Sequence, residues 1–130
     1  MLDQDDCTQA ARLHPYRLGR KFSLGRNKYY KIVYRRGKSF PGRSMVLVYL
    51  KDRQLRVGFS ASAKVGGAVT RNRLRRWMRE DFRMVRGALK SGRYVFTART
   101  AAARTTHTAM TAEMARLLKR AGLFSEEAKE

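Results

Sequence analysis

Acidic residues are scarce in this chain, and cysteine, proline and long apolar runs are scarcer still. One cysteine, Cys7, in 130 residues leaves no intramolecular disulfide framework and no multi-cysteine zinc site. The cytoplasm is therefore the expected location. No apolar run approaches the roughly 20 residues that span a bilayer, and the opening MLDQDD lacks the basic-then-apolar order of a signal peptide. A role at a membrane surface is not expected either, because the apolar stripe of the main helix has the pattern of a core face. Two prolines and ten glycines form no repetitive tract. With 43% hydrophobic residues, the length corresponds to one domain with material for a core.

The shortage of acids is uneven. There are 30 basic and ten acidic residues, and six of the acids (Asp3, Asp5, Asp6, Glu126, Glu127, Glu130) lie near the ends. Between Cys7 and Phe124, 29 basic residues face only Asp52, Glu80, Asp81 and Glu113. Four scattered carboxylates do not suggest a two-metal nuclease site. His14 and His107 are not brought together by any local pattern as a general acid and base. No GxxxxGK[ST] or GxGxxG phosphate loop is present. The expectation is a binding protein with no catalytic residues and no metal site of its own. Its net charge of +20 calls for a polyanionic partner, and self-repulsion predicts stabilisation by phosphate or sulfate.

What the chain has in abundance is arginine. KVGGAVTRNRLRRWMREDFRMVR (64–86) places Leu74, Trp77, Met78, Phe82, Val85 and Leu89 on one face at helical spacing. Asn72, Arg75, Arg79 and Arg86 project from the opposite side. Thr70 is the expected N-cap, which puts Arg71, Asn72 and Arg73 in the first turn, where free N–H groups and the helix dipole favour phosphate. Solvated helix faces usually mix charge signs, and only Glu80 and Asp81 interrupt this one.

Around that helix, residues 1–20 read as a mobile leader, 21–124 as the ordered domain and 125–130 as an acidic tail. Asn27 to Arg36 is a short helix candidate stopped by Gly37. Met45 to Leu50 and Leu55 to Ser60 read as two strands forming a β-hairpin, with a third strand around Ala61 to Lys64. Tyr94 to Arg99 is a further strand, and Thr106 or Thr108 caps a last helix carrying Met110, Met114, Leu117 and Leu118. The fold class expected is α+β, a single-domain sandwich in the order α-β-β-β-α-β-α, with helices on one face of a small mixed sheet. Tyr30 and Tyr34, one helical turn apart, with Phe22 and Tyr49, are candidates for a surface on which unpaired bases stack.

KVGGAVTRNRLRRWMREDFR resembles the signature of the bacterial ribonuclease P protein component family, a K-x-G-x-A-x-x-RNR-x-x-R-x-x-RE-x-F pattern. The likeness extends through YKIVYRRGKSFPGR (30–43), LRVGFSASAKVG (55–66), GRYVFTAR (92–99) and LLKRAG (117–122), roughly residues 22–122. It implies a left-handed βαβ crossover like that of certain ribosomal protein domains. It also implies a partnership with the catalytic ribonuclease P RNA, which uses Mg²⁺ to remove the 5′ leader of precursor tRNA, so that this chain is a noncatalytic subunit of an endoribonuclease. The resemblance assigns RNA contacts to Arg71, Asn72, Arg73, Arg76 and Arg79 with Lys64, to which outward-facing Arg75 is added. It puts Tyr30 and Tyr34 in a cleft for the leader, with Phe22 and Tyr49 as further aromatic candidates there. The chain departs from the family pattern at Ser23, Val48, Ala63 and Arg93. The competing reading is a ribosomal or general RNA-binding protein with no part in cleavage. DNA is not an expected partner, since the main helix lacks the preceding partner of a helix-turn-helix.

Overall fold

A computed structural model describes residues 23–25 and 27–125. The elements run α1 (Asn27–Arg36), β1 (Lys38–Pro41), β2 (Met45–Leu50), β3 (Arg56–Ala61), α2 (Ala68–Val85), β4 (Arg93–Ala98) and α3 (His107–Arg120), with single 3-10 turns at Arg86–Ala88 and Thr100–Arg104. The order is the expected α-β-β-β-α-β-α. Residues 1–20, including Cys7 and His14, lie outside the described residues, as do Phe22 and 126–130. Among the described residues no helix is long and apolar enough to cross a membrane.

The sheet order is β1-β2-β4-β3, with β3 parallel to β4 and the other pairs antiparallel. This overturns the expected hairpin of β2 with β3. Tyr94, Val95 and Phe96 of β4 are all fully buried, and a strand apolar on both faces takes a central place with partners on both edges. β4 therefore separates β2 from β3, and α2 makes the βαβ connection between the parallel neighbours β3 and β4. The hairpin that does form is β1 with β2, closed by Gly42, whose N–H donates to the Met45 carbonyl at 2.8 Å. The extra strand thus lies at Lys38–Pro41 rather than around Ala61 to Lys64. Its sequence, KSFP, carries no β-branched run to announce it.

Helices cover both faces, not one. Met45, Leu47, Tyr94 and Phe96 turn toward α2 and α3, where they meet Leu74, Met78, Phe82, Met110, Met114 and Leu118. Val48 and Val95 turn the other way and meet Val33 of α1 and Leu24. The period-2 alternation of β2 and β4, apolar at both parities, requires both covers. Val48, one of the departures from the family pattern, is accordingly buried beneath α1.

The helix ends follow local chemistry. Gly37 donates to the Val33 carbonyl at 2.7 Å and closes α1. Thr106 caps α3 by accepting from the Ala109 N–H at 3.1 Å. α2 begins three residues earlier than expected, with extended Gly67 at the N-cap and no side-chain cap. Arg71 N–H already bonds the Gly67 carbonyl at 3.0 Å. Arg71, Asn72 and Arg73 therefore lie beyond the free N–H groups of the first turn, and side-chain charge rather than the helix terminus is what they offer.

Candidate nucleic-acid interface

The outer side of α2 holds Arg71, Asn72, Arg73, Arg75, Arg76, Arg79 and Arg83, all partly or fully exposed. Two acids share the helix. Glu80 pairs loosely with Arg76 at 3.8 Å, and both side chains are largely exposed, a contact worth at most about 1 kcal/mol. Asp81 is turned inward, so its charge does not neutralise the row. Among the described residues, Arg71, Arg73, Arg75, Arg79 and Arg83 have no carboxylate partner. Arg75 donates to the Asn72 side-chain carbonyl, fixing one side chain against the next.

Three aromatic contacts orient this row. The Arg73 guanidinium lies 5.2 Å from the centre of the Trp77 ring, and His107 of α3 stacks on Trp77 at 5.1 Å with rings parallel within 1°. The Arg79 guanidinium sits 5.8 Å from the Phe59 ring. Cations over aromatic rings keep their outward N–H groups available while losing rotamer freedom. His107 is fixed in turn by Asp81, whose Oδ1 lies 3.0 Å from Nε2 and also accepts from the Thr111 hydroxyl at 2.8 Å. Burial pushes the Asp81 carboxyl up, and the bonds from Thr111 and His107 only partly oppose it. Its other oxygen is buried without a partner. His107, weighed in the sequence only as a general acid or base, is here a brace between α3 and the arginine helix.

On the opposite face of the sheet, α1 leaves a cleft. The Tyr30 ring lies directly over Gly58, where a β-carbon would come within 2.4 Å of it. Burial raises its hydroxyl above the ordinary value; a backbone bond from Phe59 and the charges of Arg79 and Arg75 pull it down. Tyr34, 45% exposed, shares a 2.7 Å hydrogen bond with the Thr97 hydroxyl. Thr97 lies in register between Val46 and Ser60, and this half-buried row is the open floor of the cleft.

The expected site residues divide accordingly. Tyr30 and Tyr34 share the cleft. Tyr49 does not: it is on the α2–α3 face, its ring packs edge-on against Tyr94 at 5.0 Å, and its hydroxyl donates to the Ser91 carbonyl. The period of two that buries Val48 under α1 turns its neighbour Tyr49 away. Lys64 is exposed just before α2 and lines a depression with Arg43, Arg104 and Arg116. Those three arginines, far apart in sequence, give no local signal. Of the other departures, Ser23 accepts from the Gly25 N–H at 3.2 Å, Arg93 pairs with Asp52 at 2.7 Å, and Ala63 is exposed.

A mixed four-stranded sheet carrying an arginine-rich crossover helix on one side and an aromatic cleft on the other defines a small basic RNA-binding protein of α+β class. Comparison with known proteins narrows the class. The family model Ribonuclease P matches residues 18–122. A ribonuclease P protein component from Exiguobacterium sp. is 34% identical over 110 residues, covering 83% of this chain and 96% of that protein. One from Clostridium botulinum is 38% identical over 106 residues, covering 78% and 96%. The Staphylococcus aureus RNase P protein structure superposes with a TM-score of 0.76 at 26% identity, over 80% of this chain and 98% of that one. The Thermotoga maritima RNase P protein gives 0.64 at 28%, over 70% and 89%. The chain belongs to the ribonuclease P protein family, and it is a protein component of that tRNA-processing ribonucleoprotein endonuclease.

Proposed function

We propose that this chain binds the catalytic RNA of ribonuclease P through Arg71, Asn72, Arg73, Arg75, Arg76, Arg79 and Lys64, and holds the 5′ leader of precursor tRNA in the cleft of Tyr30 and Tyr34. The bound RNA, using Mg²⁺, cuts the leader at the mature tRNA 5′ end. The protein is not itself catalytic, and the work is done in the cytoplasm, where tRNA is made. The observation that carries this reading is the row of arginines on α2, of which Arg71, Arg73, Arg75, Arg79 and Arg83 have no carboxylate partner among the described residues, with Arg73 held over Trp77 and Arg79 over Phe59. Arg79 over Phe59 and Tyr30 over Gly58 stand at neighbouring residues of β3, an edge strand of the sheet. One backbone crossing that edge can be neutralised on the helix while its unpaired bases stack in the cleft.

Neutralising phosphates lets RNA strands approach closely and lowers the metal concentration the assembled RNA requires. Tyr34 is the more open stacking ring, because Tyr30 is packed against Gly58. The test is reconstitution. Added to a bacterial ribonuclease P RNA at low Mg²⁺, the purified chain should promote cutting of precursor tRNA at the mature 5′ end. Tyr34→Ala should weaken binding of leader-bearing substrate by roughly tenfold, the value of about one stacked base, and leave mature tRNA unaffected. No stimulation by the wild-type chain, or cutting by the protein alone, overturns the proposal.

A further inference from the structure

Beyond α2 and the cleft, one more surface is built for an anion. An open depression of about 880 Å³ is lined by Arg43 of the β1–β2 turn, Lys64, Arg104 at the end of the second 3-10 turn, and Arg116 of α3. It shares no residue with α1 or with the Val46, Thr97, Ser60 floor. The four cations come from four separate segments, so no helical or strand periodicity obliges them to meet. None has a hydrogen-bonded or ionic partner among the described residues.

One carboxylate borders the depression and does not neutralise it. Glu113 is 6% exposed, and its Oε2 accepts from the Ser44 and Met45 N–H groups at 2.7 and 2.9 Å. That pairing holds the turn that presents Arg43. The rest of the lining includes the hydroxyl-bearing Ser44, Thr100, Thr105 and Thr106, donors suited to anionic oxygen. Four converging like charges repel one another unless an anion fills the space. An open depression of this size suits a length of polyanion better than a single small ion.

We propose that this depression is a second phosphodiester-binding site, which seats an RNA backbone outside the leader cleft. It rests on the reading that the chain is an RNA-binding subunit of ribonuclease P, and it adds Arg43, Arg104 and Arg116 to the residues that meet RNA. Lys64 belongs to this seat and links it to the start of α2.

The experiment measures affinity against salt for the full chain, for Arg104→Gln/Arg116→Gln, and for a control of equal charge loss, Lys51→Gln/Lys90→Gln. Binding is measured first to ribonuclease P RNA alone, then as precursor tRNA binding by the assembled holoenzyme. The pocket variant should lower the slope of log affinity against log salt by about 0.7 to 0.9 per lost phosphate contact, up to nearly two units for both. The control should leave it unchanged. A loss with the ribonuclease P RNA alone assigns the backbone to that RNA, and a loss only in the second arm assigns it to the substrate. Arg104→Lys/Arg116→Lys should restore the slope, since the slope counts charges. Equal slopes for the pocket variant, the control and the wild type in both arms overturn the proposal. Because the wild-type chain must bind and stimulate the RNA in the same experiment, failure of the subunit reading is recognised separately.

Discussion

Gly58→Ala offers a direct test of how the cleft is built. A β-carbon at this position would stand 2.4 Å from Cζ and from the hydroxyl oxygen of Tyr30, more than 1 Å inside ordinary carbon contact. Tyr30 is on α1, and α1 is held by Val33 packed on Val48 and Val95, so the ring cannot withdraw without tilting the helix or leaving its rotamer. Overpacking of this kind costs about 1 to 3 kcal/mol. On a domain of about 100 ordered residues that is a fall in Tm of roughly 4 to 20 °C. The discriminating arm is a double-mutant cycle. With Tyr30→Ala already present the obstruction is gone, and Gly58→Ala should be neutral or stabilising by up to about 1 kcal/mol, since alanine restricts the unfolded chain more than glycine does. Thermal or urea unfolding of the four proteins measures the coupling, expected at about 1 to 4 kcal/mol. Additive effects would refute the packing of Tyr30 on Gly58. With the holoenzyme, Gly58→Ala should also weaken leader-bearing substrate more than mature tRNA.

Glu113→Ala should destabilise the domain by roughly 2 to 4 kcal/mol in urea unfolding, because the buried Ser44 and Met45 N–H groups lose their acceptor. Glu113→Gln, which keeps an acceptor oxygen, should cost clearly less, and equal losses would show that the two hydrogen bonds are not the cause. Arg73→Ala should lower the salt slope of binding to ribonuclease P RNA by about one unit. Trp77→Leu should weaken binding by up to about tenfold with the slope retained, since it removes the ring that positions the charge but not the charge; a slope change from Trp77→Leu would contradict this. Asp52 is held below its ordinary 3.8 by the Arg53 N–H and by Arg93, so its contribution is present above that pH and is lost as pH falls through the lower folded value. Asp52→Asn should therefore cost under about 1 kcal/mol at neutral pH, and the gap to wild type should close in acid. A gap independent of pH would exclude the ion pair as its source.

Much of this architecture was legible in the chain. Asn27–Arg36 and its Gly37 stop, Met45–Leu50, a cap at Thr106 or Thr108 and the buried stripe Leu74, Met78, Phe82 all follow from local chemistry, and the fold uses Thr106. Strand neighbours did not, because pairing depends on which strand is most buried, and the claim of Tyr94, Val95 and Phe96 to the sheet centre appears only when both faces are covered. At the start of α2, Thr70 has the right side chain for a cap, whereas Gly67 has the right backbone and no side chain to betray it. In the site, the arginine row is local and was visible. The parity that sends Tyr49 away from the cleft and the convergence of Arg43, Arg104 and Arg116 belong to the tertiary fold.

The four acids of the body have a consequence for how association is driven. Glu113 grips backbone amides, Asp81 secures His107 and Thr111, and Asp52 holds Arg93; only Glu80 touches the arginine row, at 3.8 Å. Among the described residues a docking nucleic acid therefore has almost no ion pair to break before it engages these cations. Its free energy comes chiefly from the small ions that both partners set free, which makes assembly rapid, tight in dilute salt and readily reversed as ionic strength rises.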